Sequence, residues 1–464
     1  MKAYSRRSSF LVWVGTFAAV LFLMAGSAHA QLTGAADVNI SQKAGSDSEC
    51  AVAKNPTNPL QLFTFCNTAG AGMLAARSTD GGVTWIYPDP SDKTIADGDP
   101  GQGPAACCDP SLAWDTFGNL FITYLNTNAT TVEILLSTDA GATFTPLATF
   151  AGSVDQQTVV AANTTAPGAP VAVWLVWNQS GAMVGRGAPV TGLGAVGAFV
   201  PLNSTGSSGC SFGDVAISPG GVVVQVCTPS GGQVGGNINV WRDADGLGAG
   251  GWTGPIVAGT TLVGGFDFIP AQNTRSIDPE TGLVFDANPA SPHFGRLYLM
   301  YTDETAQENN DTDIMLRFSD DNGLTWSSPA IRVNDDPGLP TIRSQFNPKI
   351  SIDDPTGNFM VCWHDCRESA ANTAMREYCT AAGPSGASPA FLPNVPIGDG
   401  QTTSNNDGFD FGDYSAMDYS NAVGHPVWPD RSNSTGNNPD GNFDAQTDRV
   451  SGTVPVELMQ FRVE

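Results

Sequence analysis

Three near-identical octets constrain the fold of this chain more than any other feature of its sequence. They span residues 78–85 (STDGGVTW), 137–144 (STDAGATF) and 319–326 (SDDNGLTW), and each reads S-x-D-x-G-x-T-[WF]. An alternating, strand-like run precedes each octet. In such an octet the Asp carboxylate accepts backbone N–H bonds across a turn, Gly supplies a positive φ and the aromatic packs beneath. The pattern predicts three copies of one hairpin turn.

A longer repeat accompanies the octets. Each copy begins with a polar residue, continues through a short apolar strand and a turn, and ends in a strand that closes on an aromatic. Clear and degenerate copies give seven starts, near residues 49, 109, 155, 210, 275, 344 and 413. Starts about 45 to 70 residues apart are typical of four-stranded propeller blades with their loops. Because one blade alone would expose an apolar face, we expect the blades to stack around an axis.

The composition favours the same fold class. The 464 residues include 53 Gly and 32 Pro, and only 14% are charged, which excludes a helical bundle or a coiled coil. The 10 Trp and 23 Phe can form a core, which argues against disorder. We predict an all-β chain with a single β-propeller of six or seven four-stranded blades, seven favoured, closed by a strand at 38–41. A β-sandwich is the alternative, but it would not explain hairpin copies at this period.

The N-terminus has the pattern of a targeting segment. Basic residues precede an apolar stretch over residues 10–26, and the small-x-small triplet at 28–30 follows it. We predict a signal peptide over residues 1–30, a propeller domain over 31–464, and secretion; an uncleaved membrane anchor is the alternative. The formal net charge of −25 argues against nucleic acid and anionic membranes as partners.

The cysteines are expected to form disulfides, which export permits. Two pairs flank candidate hairpins, Cys50 with Cys66 and Cys210 with Cys227. The remaining possibilities are a pair of Cys379 with either Cys362 or Cys366, and a bridge between the neighbours Cys107 and Cys108. The odd count of 9 leaves one thiol over. A zinc site is the alternative, but the sequence contains no C-x-x-C pair.

The octet resembles the Asp box, also called the BNR repeat, of the sialidase (neuraminidase) superfamily. The stretches 345–353 (QFNPKISID), 363–367 (WHDCR) and 412–431 (GDYSAMDYSNAVGHPVWPDR) are similar to a secreted bacterial branch described as exo-α-sialidase-like. In that family the Asp boxes lie on outer hairpins, away from the pocket. The resemblance therefore implies structural roles for three aspartates, Asp80, Asp139 and Asp321.

The resemblance implies an exo-glycosidase that hydrolyses terminal sialic acid, or a related acidic sugar, on extracellular glycans or glycoproteins. The family uses a Tyr nucleophile activated by Glu, because the sugar's own carboxylate would repel an anionic nucleophile, and an Asp acts as acid/base. Three Arg bind the substrate carboxylate. The positions that match imply these catalytic candidates: Tyr414, Asp109, Glu49 and Asp413. The implied substrate-binding candidates are Arg275, Arg343, Arg367 and Arg431.

Two other functions stay open because no Arg-Ile-Pro-type motif precedes the first repeat. The first alternative is a non-catalytic propeller that binds a glycan, a peptide or an ion, and the second is a structural surface module. The enzyme hypothesis predicts three guanidinium groups in one axial pocket near Tyr414, whereas the structural hypothesis predicts a closed pocket. No cofactor is required. Ca²⁺ is possible at the acidic loop 303–313, at residues 437–448 or at Asp243 and Asp245, with solvated loops as the alternative.

Overall fold

The computed structural model describes residues 31–165, 168–206, 210–229, 231–384, 386–452 and 454. The signal-peptide prediction for residues 1–30 lies outside these ranges. The side chain of Cys210 also lies outside the description, so its pairing with Cys227 stays a prediction. In the described ranges no helix is long and apolar enough to cross a membrane.

The chain folds into seven small antiparallel sheets, which are the blades of a propeller. The strands of a blade follow one another along the chain from the innermost to the outermost. Blade 1 has the strands Asp47–Lys54, Leu62–Thr68, Met73–Ser78 and Thr94–Ile95. Blade 2 has Ala106–Trp114, Leu120–Asn126, Thr131–Ser137 and Thr145–Ala151. Blade 3 has Val154–Asn163, Val171–Gln179, Ala182–Gly192 and Ala195–Val196, with Asn203–Ser204 paired to the third strand.

Blades 4 to 7 repeat this order. Blade 4 has Cys210–Ser211 and Val215–Ile217 at the innermost position, then Val223–Pro229, Val234–Asp243 and Thr253–Val263, and blade 5 has Gly282–Phe285, Leu297–Glu304, Thr312–Ser319 and Ile331–Arg332. Blade 6 has Gln345–Asp353, Asn358–Asp365, Ala374–Ala382 and Val395–Pro396, with Thr402–Thr403 on the third strand. Blade 7 has Ala416–Ser420, Val423–Asp430, Asp444–Thr447 and Val38–Asn39, with Val450–Ser451 on the second strand. The prediction of seven blades is confirmed.

The ring is closed by the beginning of the chain. Val38 pairs with Thr447 and Asn39 with Gln446, so a strand that precedes blade 1 forms the outer strand of blade 7. The innermost strand of every blade contacts those of both neighbours, including blade 1 against blade 7. The predicted closure by the segment near residue 38 is therefore confirmed.

A hairpin outside the seven blades corrects one predicted blade start. The strands Asp267–Ile269 and Gln272–Ile277 pair with each other between blades 4 and 5. The inner strand of blade 5 consequently begins at Gly282 rather than near residue 275. Three apolar residues of this hairpin region, Ile269, Ala271 and Ile277, are 1% exposed and belong to a core cluster that includes Phe346 and Phe411.

The octets form the turns between the third and fourth strands of blades 1, 2 and 5. In the first, Thr84 donates its backbone N–H to Oδ1 of Asp80 (2.9 Å) and its hydroxyl to Oδ2 (2.6 Å). Ser78 donates to the same carboxylate (2.8 Å) and accepts from Gly82 N–H (2.9 Å). The other two octets repeat these bonds around Asp139 and Asp321.

The core lies between neighbouring blades. In six blades the second strand carries a large aromatic at the position where the longer repeat closes, and each is at most 1% exposed: Phe65, Tyr124, Trp177, Tyr301, Trp363 and Trp428. Burying an aromatic side chain of this kind contributes about 1.5–3 kcal/mol of transfer free energy. The aromatic that closes each repeat therefore marks a residue buried at an interface between blades.

Three disulfides connect described residues. Cys50–Cys66 joins the first two strands of blade 1, and Cys362–Cys379 joins the second and third strands of blade 6. The neighbours Cys107 and Cys108 bridge each other at the start of blade 2. Of the two candidate partners of Cys379, Cys362 forms the bond, and Cys366 is a buried free thiol.

Candidate ligand site at the axial mouth

The seven innermost strands line a cavity of about 390 Å³ on the propeller axis. All seven run in the same direction, so their first residues surround one end of the cavity, which we call the axial mouth. Because adjacent strands in a blade are antiparallel, the turns between third and fourth strands lie at the opposite face. Asp80, Asp139 and Asp321 therefore lie on the face opposite the axial mouth.

One backbone feature recurs at the mouth in every blade. At the start of each inner strand, or just before it, one residue has a positive φ: Glu49 (49°), Asp109 (59°), Gln156 (39°), Phe212 (49°), Glu280 (39°), Asn347 (47°) and Gly412 (72°). In blades 1, 2, 3 and 6 the strand pairing shifts register at this residue. A β-bulge redirects a side chain out of the ladder. The mouth therefore carries a ring of mainly carboxyl and amide side chains.

Arg275 connects the extra hairpin to the opposite side of the mouth. Its Nε and Nη2 donate to the two carboxylate oxygens of Asp413 (2.9 and 2.8 Å), and Nη1 donates to the carbonyl of Gly408 (2.6 Å). Nη2 also forms a close ion pair with Glu49, whose side chain is 3% exposed. Through Arg275 the hairpin between blades 4 and 5 thus reaches blades 7 and 1, and the guanidinium makes four hydrogen bonds there.

A hydrogen-bond network continues from Glu49 to blade 3. Asn67 donates its amide to Glu49 and accepts the backbone N–H of Asp109 (3.0 Å). The carboxylate of Asp109 accepts the backbone N–H of Gln156 (3.0 Å), and its carbonyl accepts a close bond from the Gln157 amide. These bonds fix the side chains of three adjacent blades relative to one another.

Asp109 and Asp155 form a carboxyl pair at the mouth. Their side chains are within hydrogen-bonding range of each other. Burial, and then the charge of Asp155, raise the pKa of Asp109 to about 7. Burial also raises the pKa of Asp155. Two carboxylates in contact repel unless one is protonated, so below about pH 7 this pair shares a proton.

Tyr414 lies where the mouth meets the cavity. Its hydroxyl oxygen is buried and has no hydrogen-bond partner among the described residues. Burial and the surrounding carboxylates, with Asp109 and Glu49 the largest contributors, hold the pKa of Tyr414 well above its ordinary value. The site therefore keeps this hydroxyl neutral.

Below Tyr414, a lysine and two carboxyl groups lie on the wall of the cavity. Lys349 lines the cavity together with Asp214 and Glu280. Its charge lowers the pKa of both acids, although burial outweighs it and leaves each pKa raised. In the ranges described, the Lys349 ammonium forms no hydrogen bond and no ion pair within 4.0 Å.

Phe212 gives the mouth an apolar side. Its ring packs edge-to-face against Phe266, with ring centroids 5.9 Å apart. Phe266 is 49% exposed and Phe268, on the same hairpin, is 42% exposed. Aromatic rings next to carboxyl and amide groups form an amphipathic surface.

The structure brings together Tyr414, Asp109, Glu49, Asp413 and Arg275, five of the candidates named from the resemblance. It places the other three arginines elsewhere, and none of the described residues lining the axial cavity is an arginine. Their contacts are as follows: Arg367 donates to Asp365 (2.9 Å) and Asp335 (2.7 Å), Arg431 donates to the carbonyl of Gly441 (3.1 Å), and Arg343 donates to the carbonyl of Ile342. Three guanidinium groups therefore do not meet at Tyr414.

Several residues of the mouth were not candidates from the sequence: Asp155, Gln156, Gln157, Glu280, Asn347 and Lys349. The sequence pattern that marks such positions is a polar residue at the start of each repeat, and at Asp109 and Asn347 it directly precedes proline. Blades 3 and 5 have degenerate repeats, which hid the equivalent positions there.

The acidic loops suggested for Ca²⁺ make internal hydrogen bonds. Glu304 accepts the backbone N–H groups of Glu308 (2.7 Å) and Asn310 (3.1 Å), and Asp313 accepts from Arg332 (2.7 Å). Asp243 and Asp245 lie in the turn between the third and fourth strands of blade 4, where the octets lie in other blades. Across the described ranges, no three His, Cys, Asp or Glu side chains are grouped in a way that could hold a metal ion.

The comparison with models of known protein families finds no match, and neither does the comparison with curated proteins. Among solved structures, a lectin from Burkholderia pseudomallei has a TM-score of 0.50 at 12% identity, with 84% of this chain and 94% of the lectin covered. At this identity the likeness shows the fold alone.

Two further similar structures have TM-scores below 0.5, and no inference is drawn from a likeness at that level. They are an intramolecular trans-sialidase from Ruminococcus gnavus (TM-score 0.40, 12% identity, 89% of this chain and 96% of that one) and an α-L-arabinanase from Penicillium chrysogenum (0.43, 11%, 76% and 99%).

Proposed function

We propose that this protein is a secreted saccharide-binding propeller that holds its ligand at the axial mouth without cleaving it. The observation that carries this proposal is the convergence of Asp109, Asp155, Gln156 and Tyr414 on one mouth. Carboxylates, amides and hydroxyls are the hydrogen-bonding partners that a polyhydroxylated ring needs. Phe266 adds an exposed aromatic ring on which the apolar face of a sugar can pack. Gln156 and Tyr414 also line the axial cavity, whose volume of about 390 Å³ is within the usual range for small-molecule sites.

The charges of the mouth favour a ligand without a carboxylate. The only arginine at the mouth in the described residues, Arg275, already binds Asp413 and Glu49. The carboxyl pair of Asp109 and Asp155 would repel an acidic sugar. We therefore propose a neutral or basic saccharide as the ligand, in place of the acidic sugar that the family resemblance implies.

The same geometry supports binding over hydrolysis. Asp109 and Asp155 are in hydrogen-bonding contact, which is closer than the two carboxyl groups of glycosidases that use a carboxylate nucleophile or base, at about 5 Å or more. Tyr414 is surrounded by carboxylates that raise its pKa, and this opposes the formation of the phenolate that would act as a nucleophile.

Two observations agree with an extracellular glycan as the partner. The three disulfides between described residues are of the kind that persists in oxidising, extracellular compartments. The lectin from Burkholderia pseudomallei shares the fold. Neither observation names the sugar, so the test begins with a broad panel.

Screening the purified protein on an array of neutral, acidic and basic glycans tests the proposal. We expect binding to a subset of neutral or basic glycans, with affinity lost in a Gln156→Ala, Phe266→Ala double variant. Asp321→Ala is the control, because Asp321 lies on the opposite face and should leave binding unchanged. Failure to bind any glycan, or equal binding by the double variant, would contradict the proposal.

Hydrolysis is the second candidate, because Tyr414, Glu49, Asp109 and Asp413 are neighbours as the resemblance implies. An active enzyme should release the fluorophore from a fluorogenic sialoside, and Tyr414→Phe should abolish the release while leaving the fold intact. No turnover on a panel of sialosides and neutral glycosides would exclude this candidate. Turnover that depends on Tyr414 would replace the binding proposal.

A further inference from the structure

The mouth contains two pairs of carboxyl groups in different electrostatic states. Glu49 and Asp413 share the guanidinium of Arg275, which satisfies both of them. Asp109 and Asp155 have no cationic side chain in ion-pair contact within the described ranges. They share a proton instead, as described above. The second pair therefore lacks the cation that the first pair has.

Two buried acceptors next to this pair also lack donors. Gln157 is 4% exposed, and while its amide nitrogen binds the carbonyl of Asp109, its Oε1 has no partner among the described residues. The hydroxyl oxygen of Tyr414 is likewise buried and unpaired. An unpaired buried acceptor costs about 1–3 kcal/mol, so a ligand that donates to it gains affinity.

We propose that Asp109, Asp155, Gln157 and Tyr414 form a subsite for a protonated primary amine, and that the saccharide bound at the mouth is an amino sugar. This inference rests on the proposed saccharide-binding function. An alkyl ammonium has three donors and no acceptor, which matches a set made of carboxyl, amide and hydroxyl oxygens. On binding, the ammonium replaces the shared proton of the carboxyl pair, and that proton passes to solvent.

The subsite is accessible from solvent. Asp155 is exposed and Asp109 is half-buried, whereas Glu49 of the other pair is buried. Gln156 follows Asp155 in the chain, and the next blade around the ring carries Phe212, against which the exposed ring of Phe266 packs. A metal ion is the poorer fit, because no group of three potential metal-binding side chains occurs in the described part of the chain.

Calorimetric titration with two matched ligands tests the inference. The probes are a glucosamine trisaccharide and its fully N-acetylated form, which share a backbone but differ in charge. We expect the wild-type protein to bind the free amine at least about tenfold more tightly, the size of effect that a charge-assisted hydrogen bond gives. Asp155→Asn keeps the size of the side chain and should reduce the preference to about twofold or less.

The outcomes separate this inference from the proposed function. If both trisaccharides bind the wild type equally, or the acetylated one binds better, the amine subsite is wrong while saccharide binding stands. If Asp155→Asn keeps the preference, the carboxyl pair is not the subsite. If neither trisaccharide binds and the glycan array is also blank, the proposed function itself fails. Tighter binding of trilysine than of the glucosamine trisaccharide would assign the subsite to a basic peptide and overturn the amino-sugar assignment.

Discussion

At the scale of single residues, six of the seven positive-φ positions at the mouth carry a side chain rather than glycine. This conformation costs about 1–3 kcal/mol for such residues, and it occurs at equivalent positions around the ring. A chain that needed only a turn there would tolerate glycine in all seven. Glu49 and Asp109 take part in the network across the mouth through their side chains, and Gln156 through its backbone N–H.

Arg275→Gln tests the network at its most buried ion pair. The change leaves the Glu49 carboxylate buried without a cation, and the loss of one partner of such a pair costs about 3–5 kcal/mol. The midpoint of urea unfolding should therefore fall. Burial and the charge of Asp413 raise the pKa of Glu49 well above its ordinary value. Since Glu49 can take up a proton at lower pH, the loss should be larger at about pH 8 than at about pH 5.

Arg431→Gln is the matched control, because Arg431 donates to backbone carbonyls and forms no ion pair with the described residues. We expect it to cost about 1 kcal/mol or less. Equal losses in the two variants would show that Glu49 and Arg275 do not form a buried ion pair.

Residue roles were predictable only in part. Tyr414 and Asp109 were candidates because they fit a family pattern at the start of clear repeats. Asp155 and Gln157 lie in a blade whose repeat is degenerate, so no local pattern marked them. The partner of Arg275 is Glu49, 226 positions away in sequence, and no spacing rule connects residues so far apart.

At the scale of single elements, the octet was fully readable from the sequence because all of its bonds are local. Ser bonds to the Asp two positions later and Thr to the Asp four positions earlier, and nearly the same distances recur in three blades. The hairpin Asp267–Ile277 was missed for the opposite reason. It occurs once, and one of its strands, Asp267–Ile269, has only 3 residues.

Asp139→Ala tests the octet as a structural turn. It removes the acceptor for Thr143 and Ser137, and we expect a loss of about 1 kcal/mol in the free energy of unfolding. Asp139→Asn keeps one oxygen acceptor and should lose less. Glycan binding should be unchanged in both variants, since the turn lies on the far face. Loss of binding without loss of stability would place Asp139 in the ligand site.

At the scale of the whole molecule, seven blades could be counted from the repeat, and the closing strand could be placed from its position ahead of the first blade. The blade count and the closing strand both follow from one requirement, that each blade buries its apolar faces against the neighbouring blades. The contacts across the mouth could not be predicted, because they depend on a hairpin that lies between blades 4 and 5 and bonds to Asp413 and Glu49. The sequence therefore predicted the scaffold and only part of the mouth.

Ile40→Ala tests ring closure. Ile40 is fully buried, and its core cluster contains Val427 and Ala445 of blade 7 and Leu74 of blade 1. Truncation of a buried Ile costs about 2–5 kcal/mol. The same change at Ile86, which is 45% exposed, is the control and should cost far less. Similar unfolding midpoints for the two variants would contradict closure at this seam.

The pH dependence of stability follows from the buried acids. Burial is the main cause that raises the pKa of several aspartates to about 7, namely Asp37, Asp109, Asp278 and Asp444, from 3.8. The folded chain therefore holds protons that the unfolded chain releases near pH 3.8. Their contribution to stability is complete below that pH and is lost as the pH rises through about 7. The urea midpoint should be higher at about pH 5 than at about pH 8; a midpoint that rises over this interval would contradict the assignment.

A crystal structure with the tightest glycan from the array bound is the most direct test of the central claim, that the starts of the inner strands form the ligand site. The account predicts electron density for the sugar at the axial mouth, within hydrogen-bonding distance of Asp109 or Asp155 and against Phe266. A sugar bound on the outer strands, or at the face that carries the octet turns, would contradict it.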